Sequence, residues 1–591
     1  MSKTQTSRSH RGAGRMRLAP LVLAVAGVLL AVVGATLLRQ AGEQDVETAG
    51  SSLFTLHSSL TTSWFEEVAL ASGIDFQTDV GHDERFYLPE SMAGGVGLLD
   101  YDNDGYLDVY FVQAGRVAGW QKDEPGNRLF HNRGDATFEE VTASAGVGDI
   151  HYGTGCATGD FDNDGWTDLY VTNVGANILY RNRGDGTFTD VTQGAGVGDE
   201  GFGSSAAFLD YDRDGDLDLY VVNYIQWSAD TEVDCIGFAG VADYCTPSAY
   251  LAPQPDTLYR NNGDGTFTDV SEEAGIHVRF GNGLGIVCGD FNGDTLTDIC
   301  VANDLMANQL WINRGDGTFR DEALERGLAY SGNGMEEAGM GIHAVDVDND
   351  GDLDVIMAHF AAQTNTFYRN VDGFFFDETS QAGLDSSRPF TGFGIAMHDF
   401  NNDGHIDIYV ANGRVVQRRG TPSGQDPYAD ENQLFVGIAD GTFREELPRG
   451  GTPEPLVHSS RGAAFGDLNN DGFIDIVIAN RDGPAYVLRN RAGADLQAGI
   501  DGRHWIMFDV RNQHGAPAIG ARVTIEVAGN ERVRDVRTAY SYCAANDPRV
   551  HFGLGEIARV SHVRVTWPDG AAHDFGAFNA DQIVTLKRPR S

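Results

Sequence analysis

The sequence predicts an all-β protein, a seven-bladed β-propeller of four-stranded blades followed by a small C-terminal β-sandwich domain. Three observations predict it. A nine-residue acidic motif recurs seven times between residues 100 and 475. Short β-type runs flank every copy. A strand missing from the end of the array turns up at its beginning. Glycine contributes 75 of the 591 residues and hydrophobic residues 41%, a composition that suits turn-rich β structure and argues against disorder.

The N-terminal segment reads as an address. Lys3, Arg8, Arg11, Arg15 and Arg17 lie in residues 1–17, and residues 18–38 carry no charge. At about 1.5 Å per residue that run just spans a bilayer. The positive charge before it predicts a cytoplasmic N-terminus and an extracytoplasmic body, periplasmic or at the cell surface. The rival is a signal peptide cleaved near Val33-Gly34-Ala35, which would release a secreted protein. Either way the chain is exported, with residues 39–59 as linker. Six cysteines suit that compartment. Cys235 and Cys245, within one loop, are the first choice for a bridge. Cys288 and Cys300 flank a predicted hairpin turn and form either a cross-strand bridge or two buried thiols; Cys156 and Cys543 have no evident mate.

Residues 60–495 form the repeat array. The motif Asp-x-(Asp/Asn)-x-Asp-x-x-x-Asp starts at Asp100, Asp160, Asp210, Asp290, Asp346, Asp399 and Asp467. A Gly-rich apolar stretch precedes each copy and a run such as Leu169-Tyr170-Val171 follows it, so the acidic loop joins two strands. A hairpin comes next, clearest as Asn177 to Asn182, an Asp185-Gly186 turn, then Phe188 to Val191. The seventh repeat lacks the last strand. Residues 63–68, followed by Ser72-Gly73-Ile74, resemble that missing piece, and an N-terminal strand completing the last blade closes a ring and removes its edges.

The loops carry the chemistry. Carboxylates at alternate positions of a tight turn converge on one point, which suits a hard cation seeking six to eight oxygens. The first loop offers Asp100, Asp102, Asp104 and Asp108 with the carbonyl of Tyr106. The second offers Asp160, Asp162, Asp164, Trp166 and Asp168, and the third Asp210, Asp212, Asp214, Asp216 and Asp218. The fourth has Asp290, Asn292, Asp294 and Asp298. The fifth has Asp346, Asp348, Asp350, Asp352 and Asp354. The sixth has Asp399, Asn401, Asp403, His405 and Asp407, and the seventh Asp467, Asn469, Asp471, Phe473 and Asp475. Glycine stands sixth in six copies and Thr295 in the fourth, which is the poorest site. An EF-hand is excluded, since its twelfth-position Glu is replaced by Phe111, Val171 or Val221 inside β runs. The expected cofactor is Ca²⁺, up to seven ions, structural rather than catalytic because each loop nearly completes a shell by itself.

These loops resemble the calcium-binding blades of integrin α-subunits and the FG-GAP/VCBS repeat families. The tail, residues 501–588, resembles the ASPIC/UnbV domain through His504-Trp505, Ile519 to Val523, Ser541-Tyr542, Asp547 to Gly555 and Val563 to Gly570. Together the chain resembles the cartilage acidic protein 1 family, which implies an exported, calcium-dependent interaction protein. Alternating residues in 522–527 and 563–567 independently read as a small β-sandwich.

Charge excludes nucleic acid as a partner, since 86 acidic against 42 basic residues give −44. Insertions at 224–255 and 413–431 should emerge opposite the metal loops. They offer Trp227, Tyr244, Tyr250, Arg414, Arg418 and Arg419 to a protein or glycan. Cys543, Asp547 and His551 superficially suggest a thiol catalyst, but the last two belong to the tail-domain pattern and the thiol reads as buried. His343 and His398 are expected to pack between blades. Glu90, Glu336 and Glu337 precede inner strands and could approach the central channel. No catalytic residue or organic cofactor site is assigned. The favoured reading is a binding module; the alternatives are an extracytoplasmic enzyme acting on glycans and a scaffold for an exported complex.

Overall fold

The computed structural model describes residues 63–82, 85–117, 125–238, 240–491 and 502–589. The N-terminal address at 1–38 and its linker at 39–59 lie outside them. Among the described residues no helix is long and apolar enough to cross a membrane.

Seven antiparallel sheets repeat one plan. In the second, Gly153–Gly159, Asp168–Asn173, Gly175–Asn182 and Phe188–Asp190 pair in chain order, with Leu169 opposite Tyr180 and Tyr180 opposite Asp190. The first strands of successive sheets contact one another in cyclic order, and the last, Val457–Gly466, returns to the first, Val96–Leu99. These sheets are the blades of a propeller. The seventh is completed from the other end of the array, because Phe65–Glu67 pairs with Tyr486–Asn490 and sets Phe65 opposite Asn490. Phe65 is fully buried there, its ring meeting Phe400 and Tyr409 edge-on.

A recurring asparagine locks neighbouring blades. At the end of the third strand Asn182 donates from Nδ2 to the Thr167 carbonyl of its own blade at 3.0 Å and to the Tyr101 carbonyl of the preceding blade at 2.8 Å. Asn132, Asn261, Asn313, Asn370 and Asn490 make the same pair of bonds. All six are buried, so each satisfies two carbonyls that water cannot reach. Blade six has Gly437 at this position, where a Cβ would meet the Ile406 carbonyl at 2.1 Å.

The tail is a sandwich of a three-stranded sheet, Val550–Gly555, His504–Arg511 and Gln582–Lys587, and a four-stranded sheet around Arg522–Val527 and Arg559–Thr566. Ile506, Phe508, Val523, Ile525, Val563 and Trp567 fill its core. It is not a separate bead on the chain. Residues 537–549 run into the centre of the propeller and bond to most of its blades. Ala544–Ala545 pairs in parallel with Val96–Leu99, and Thr538 donates to the Thr158 carbonyl at 2.9 Å. The Ser205 hydroxyl accepts from Cys543 N, Ile342 and Ser541 exchange backbone bonds, and Asn546 accepts from Phe465 N. The central channel is therefore filled by the chain itself.

Of the cysteines, Cys235 and Cys245 form a disulfide, while Cys156, Cys288, Cys300 and Cys543 are free. The alternative bridge between Cys288 and Cys300 fails on register. Cys288 lies opposite Ile299 and Cys300 opposite Val287, so the two side chains leave opposite faces of the pair.

Candidate metal loops

Each acidic loop is the turn between the first and second strands of a blade. Its hydrogen bonding repeats in six of the seven, the third departing because Asp210 Oδ1 accepts no bond. In the first loop Asp100 accepts from Asp104 N at 3.0 Å and Gly105 N at 3.1 Å, and Asp104 accepts from Tyr106 N at 2.9 Å. In the seventh, Asp467 accepts from Asp471 N at 3.1 Å and Gly472 N at 2.7 Å, and Asp471 from Phe473 N at 3.0 Å. The sixth residue is left-handed throughout, from φ 85° at Gly472 to 99° at Gly351, and Thr295 accepts the same strain at φ 74°.

The ninth-position aspartate ties the loop to the blade. Asp108 accepts from Tyr101 N at 3.1 Å and from Asn132 N, on the third strand, at 2.8 Å. Asp168, Asp218, Asp298, Asp354, Asp407 and Asp475 do likewise, the sixth using Gly437 N. Fourth-position side chains link loop to loop. Asn103 donates to the Gly165 carbonyl, Asn163 to Gly215, Asn402 to Gly472, and Asn470 back to Gly105.

Four loops bring three metal-ligating side chains within 4.8 Å of one another: Asp100, Asp102 and Asp104; Asp160, Asp162 and Asp168; Asp210, Asp212 and Asp218; Asp346, Asp348 and Asp350. The fourth, sixth and seventh loops hold Asn292, Asn401 and Asn469 at the third position and have fewer carboxylates to gather. Burial pushes these carboxyls far above their ordinary range, Asp100, Asp346 and Asp467 to about 6, Asp160, Asp210 and Asp399 to about 7, and Asp218 to about 9. Asp162 Oδ1 and Asp210 Oδ1 are buried with no hydrogen-bond partner. Crowded, desolvated carboxylates with oxygens to spare fit a bound hard cation. When bound, such an ion would supply positive charge to these oxygens and hold the two strands at a fixed turn.

Sequence reasoning missed His131. It stands just before the locking asparagine, where Arg181, Arg260, Arg369 and Arg489 stand in other blades, and reaches back to Asp108 at 3.1 Å and Asp102 at 3.5 Å. Hydrogen bonding to Asp108 raises its pKa to about 8. Arg369 likewise meets Asp348 at 3.0 Å and Asp354 at 2.7 Å. The recurrence of a base at that position was the available signal.

Other named residues fall elsewhere. His343 stacks on Tyr540 of the tail at 4.1 Å and His398 bonds to the Tyr540 hydroxyl at 3.1 Å, so both face the filled channel rather than packing only between blades. Glu90 is buried against His82 and Tyr244, Glu337 accepts from Thr366, and Glu336 is exposed. Cys543 is buried, with burial pushing its thiol to about 12. Asp547 is held by Arg549 at 2.8 Å, and burial pulls His551 down to about 4. That trio holds no thiolate.

The two insertions follow second strands that run away from the metal loops, and they meet each other. Gln417 N donates to Asp243 and the Tyr428 hydroxyl donates to Asp243, each across the two insertions. The expected ligand-facing side chains are spent on this construction. Tyr244 is buried, Trp227 donates to Glu232 at 2.8 Å, and Tyr250 also bonds Glu232. Arg414 and Arg418 pair with Asp430, and Arg419 donates to the Phe238 carbonyl. Ile236, Phe238 and Val241 are exposed instead, at 72, 67 and 50%, on a hairpin closed by the Cys235–Cys245 bridge.

Fold and loops together define a β-propeller of acidic-loop repeats with a sandwich domain seated on the loop side. The chain matches the FG-GAP-like repeat family over 100–171, 160–221, 245–301, 290–357 and 346–410, and the ASPIC and UnbV family over 511–591. It thus carries FG-GAP-like repeats followed by an ASPIC and UnbV domain. It is similar to cartilage acidic protein 1 of Homo sapiens, 25% identical over 353 residues that cover 58% of this chain and 50% of that protein. The Xenopus tropicalis protein of the same name is 28% identical over 313 residues, covering 51 and 44%. The chain spans about half the length of these curated relatives. Among solved structures it resembles an Agrocybe aegerita lectin described for recognition of non-reducing terminal N-acetylglucosamine, at 15% identity and TM-score 0.36, covering 66% of this chain and 86% of the lectin. The BP39L lectin of Burkholderia pseudomallei stands at 10% identity and TM-score 0.38, covering 68 and 97%.

Proposed function

We propose that the protein is an exported, calcium-loaded binding module, in which Ca²⁺ stabilises the propeller and the face opposite the metal loops captures a protein or glycan. The convergence of carboxylates in four loops, three of them with buried members and two with unpartnered oxygens, carries the calcium half. Export follows from the uncharged run at 18–38 and its basic flank. The exposed Ile236, Phe238 and Val241 favour a protein partner over a sugar, because a rigid apolar tip suits a complementary apolar pocket. Metal analysis and melting of purified protein test the first half. Bound calcium and a melting temperature lowered by EGTA are expected, and metal-free protein indifferent to EGTA refutes it. Crosslinking in the native envelope tests the second half. Loss of captured partners on replacing Phe238 with Ser is the supporting result; unchanged capture refutes that face.

A further inference from the structure

Three guanidiniums of the tail domain bond directly to the metal loops. Arg534 donates to the Asp346 carbonyl at 3.1 Å. Arg503 donates to the Asn401 carbonyl at 3.0 Å and lies 3.6 Å from the Asp403 carboxylate. Arg549 donates to the Asp467 carbonyl at 2.7 Å and to Asn470 Oδ1 at 2.5 Å. These are the fifth, sixth and seventh loops. Among the described residues no tail arginine bonds to the second or third loop. Those two keep the buried, unpartnered Asp162 Oδ1 and Asp210 Oδ1, Asp210 being only 6% exposed.

A guanidinium seated on a loop offsets the same negative charge that would attract a dication, and it repels that dication through a partly desolvated medium. The third loop faces no such competitor, whereas in the second Arg181 of the propeller itself pairs with Asp162 and, at 3.1 Å, with Asp164. The third also has aspartate at its third position, where the sixth and seventh have asparagine.

We propose that the tail domain and calcium compete for the acidic loops. The third loop fills first, and the fifth to seventh fill only at higher calcium, Arg503 lying meanwhile against the Asp403 carboxylate and Arg534 and Arg549 on the loop carbonyls. The competition is reciprocal, so filling the weaker loops loosens the tail on the propeller. This rests on the calcium reading above and adds the order of filling and its cause.

Calorimetric titration of calcium into the chelator-stripped full chain tests it. Two classes of site separated by about tenfold or more are expected from one unit charge at close range. Arg503→Gln is the informative variant, since this side chain is 27% exposed and its loss leaves the fold's core intact. It should tighten one weak site by about tenfold, leave the tight class unmoved, and lower the melting temperature in EGTA. Arg503→Lys should restore wild-type affinity, and Asp403→Asn should delete a site from the weak class. A single class of equivalent sites, an unmoved affinity in Arg503→Gln, or loss of a tight site in Asp403→Asn overturns the competition while leaving calcium binding intact. Absence of any calcium binding overturns the underlying reading as well.

Discussion

Asn132 donates from Nδ2 to the Leu468 carbonyl at 2.8 Å, across the seam where the first blade meets the seventh. The two residues are 336 positions apart, and their bond is one of the links that make a ring of an open array. Asn132→Ala should strand two buried carbonyls, those of Leu107 and Leu468, at about 1–3 kcal/mol each. Thermal melting should show the loss. Asn182→Ala, within the array, should cost a similar amount at equilibrium, and limited proteolysis should then find the first blade more open in Asn132→Ala alone.

How far the sequence foretold this seam depends on the residue. The N-terminal strand that closes blade seven was legible because Ser63 to Val68 repeats a pattern found in the other blades. The acidic loops were legible because a spacing repeated seven times has few structural meanings. The locking asparagine was visible in the sequence as part of the hairpin motif, but its second acceptor belongs to the preceding blade, and no local pattern reveals a partner so distant. The same holds for residues 537–549. Thr538, Ser541 and Asn546 look like ordinary polar residues of a sandwich until the propeller surrounds them. Tyr244 and Trp227 were misplaced for a related reason: an aromatic in an insertion reads as a lure for ligand, yet a long insertion must first bury something of its own.

Gly472 lies against the Trp505 indole, and a Cβ at Gly472 would fall 1.8 Å from that ring, at a φ of 85°. Gly215 has nearly the same φ, 93°, with nothing within 4 Å of the added carbon. Gly215→Ala should therefore cost only the left-handed strain, about 1 kcal/mol. Gly472→Ala adds a clash and should cost a further 1–3 kcal/mol or so. Combining Gly472→Ala with Trp505→Ala should recover part of the loss in a double-mutant cycle, a coupling that a purely local defect would not give.

Asp535 is clamped by Arg522 at 2.7 Å and Arg537 at 2.5 Å. Burial pushes its carboxyl up, but the two guanidiniums outweigh burial and hold it at about 2. Because the folded pKa lies below the unfolded value of about 3.9, the clamp's contribution is complete above pH 4 and is lost as pH falls through 2. Asp535→Asn should deprive the buried Arg537 and the part-exposed Arg522 of their shared carboxylate and cost about 3 kcal/mol near neutrality. Denaturant titrations at pH 7 and pH 2 should show the mutant and wild type converging at the acid end.

Asp210 offers the sharpest test of the loops, because its charge has opposite effects with and without metal. Without metal, Asp210 sits 6% exposed beside Asp212, Asp214 and Asp218, and burial followed by repulsion from Asp214 pushes its carboxyl to about 7. Asp210→Asn removes one of the crowded charges, so in EGTA at pH 8 the variant should melt above wild type. With calcium at about a hundred times the dissociation constant, wild type gains about 2.7 kcal/mol per filled site and the variant loses that gain at one loop. Its melting temperature should then fall below wild type. Two melting curves per protein decide the matter: an order that reverses on adding calcium supports an ion held by Asp210, and an order that stays the same in both buffers counts against one.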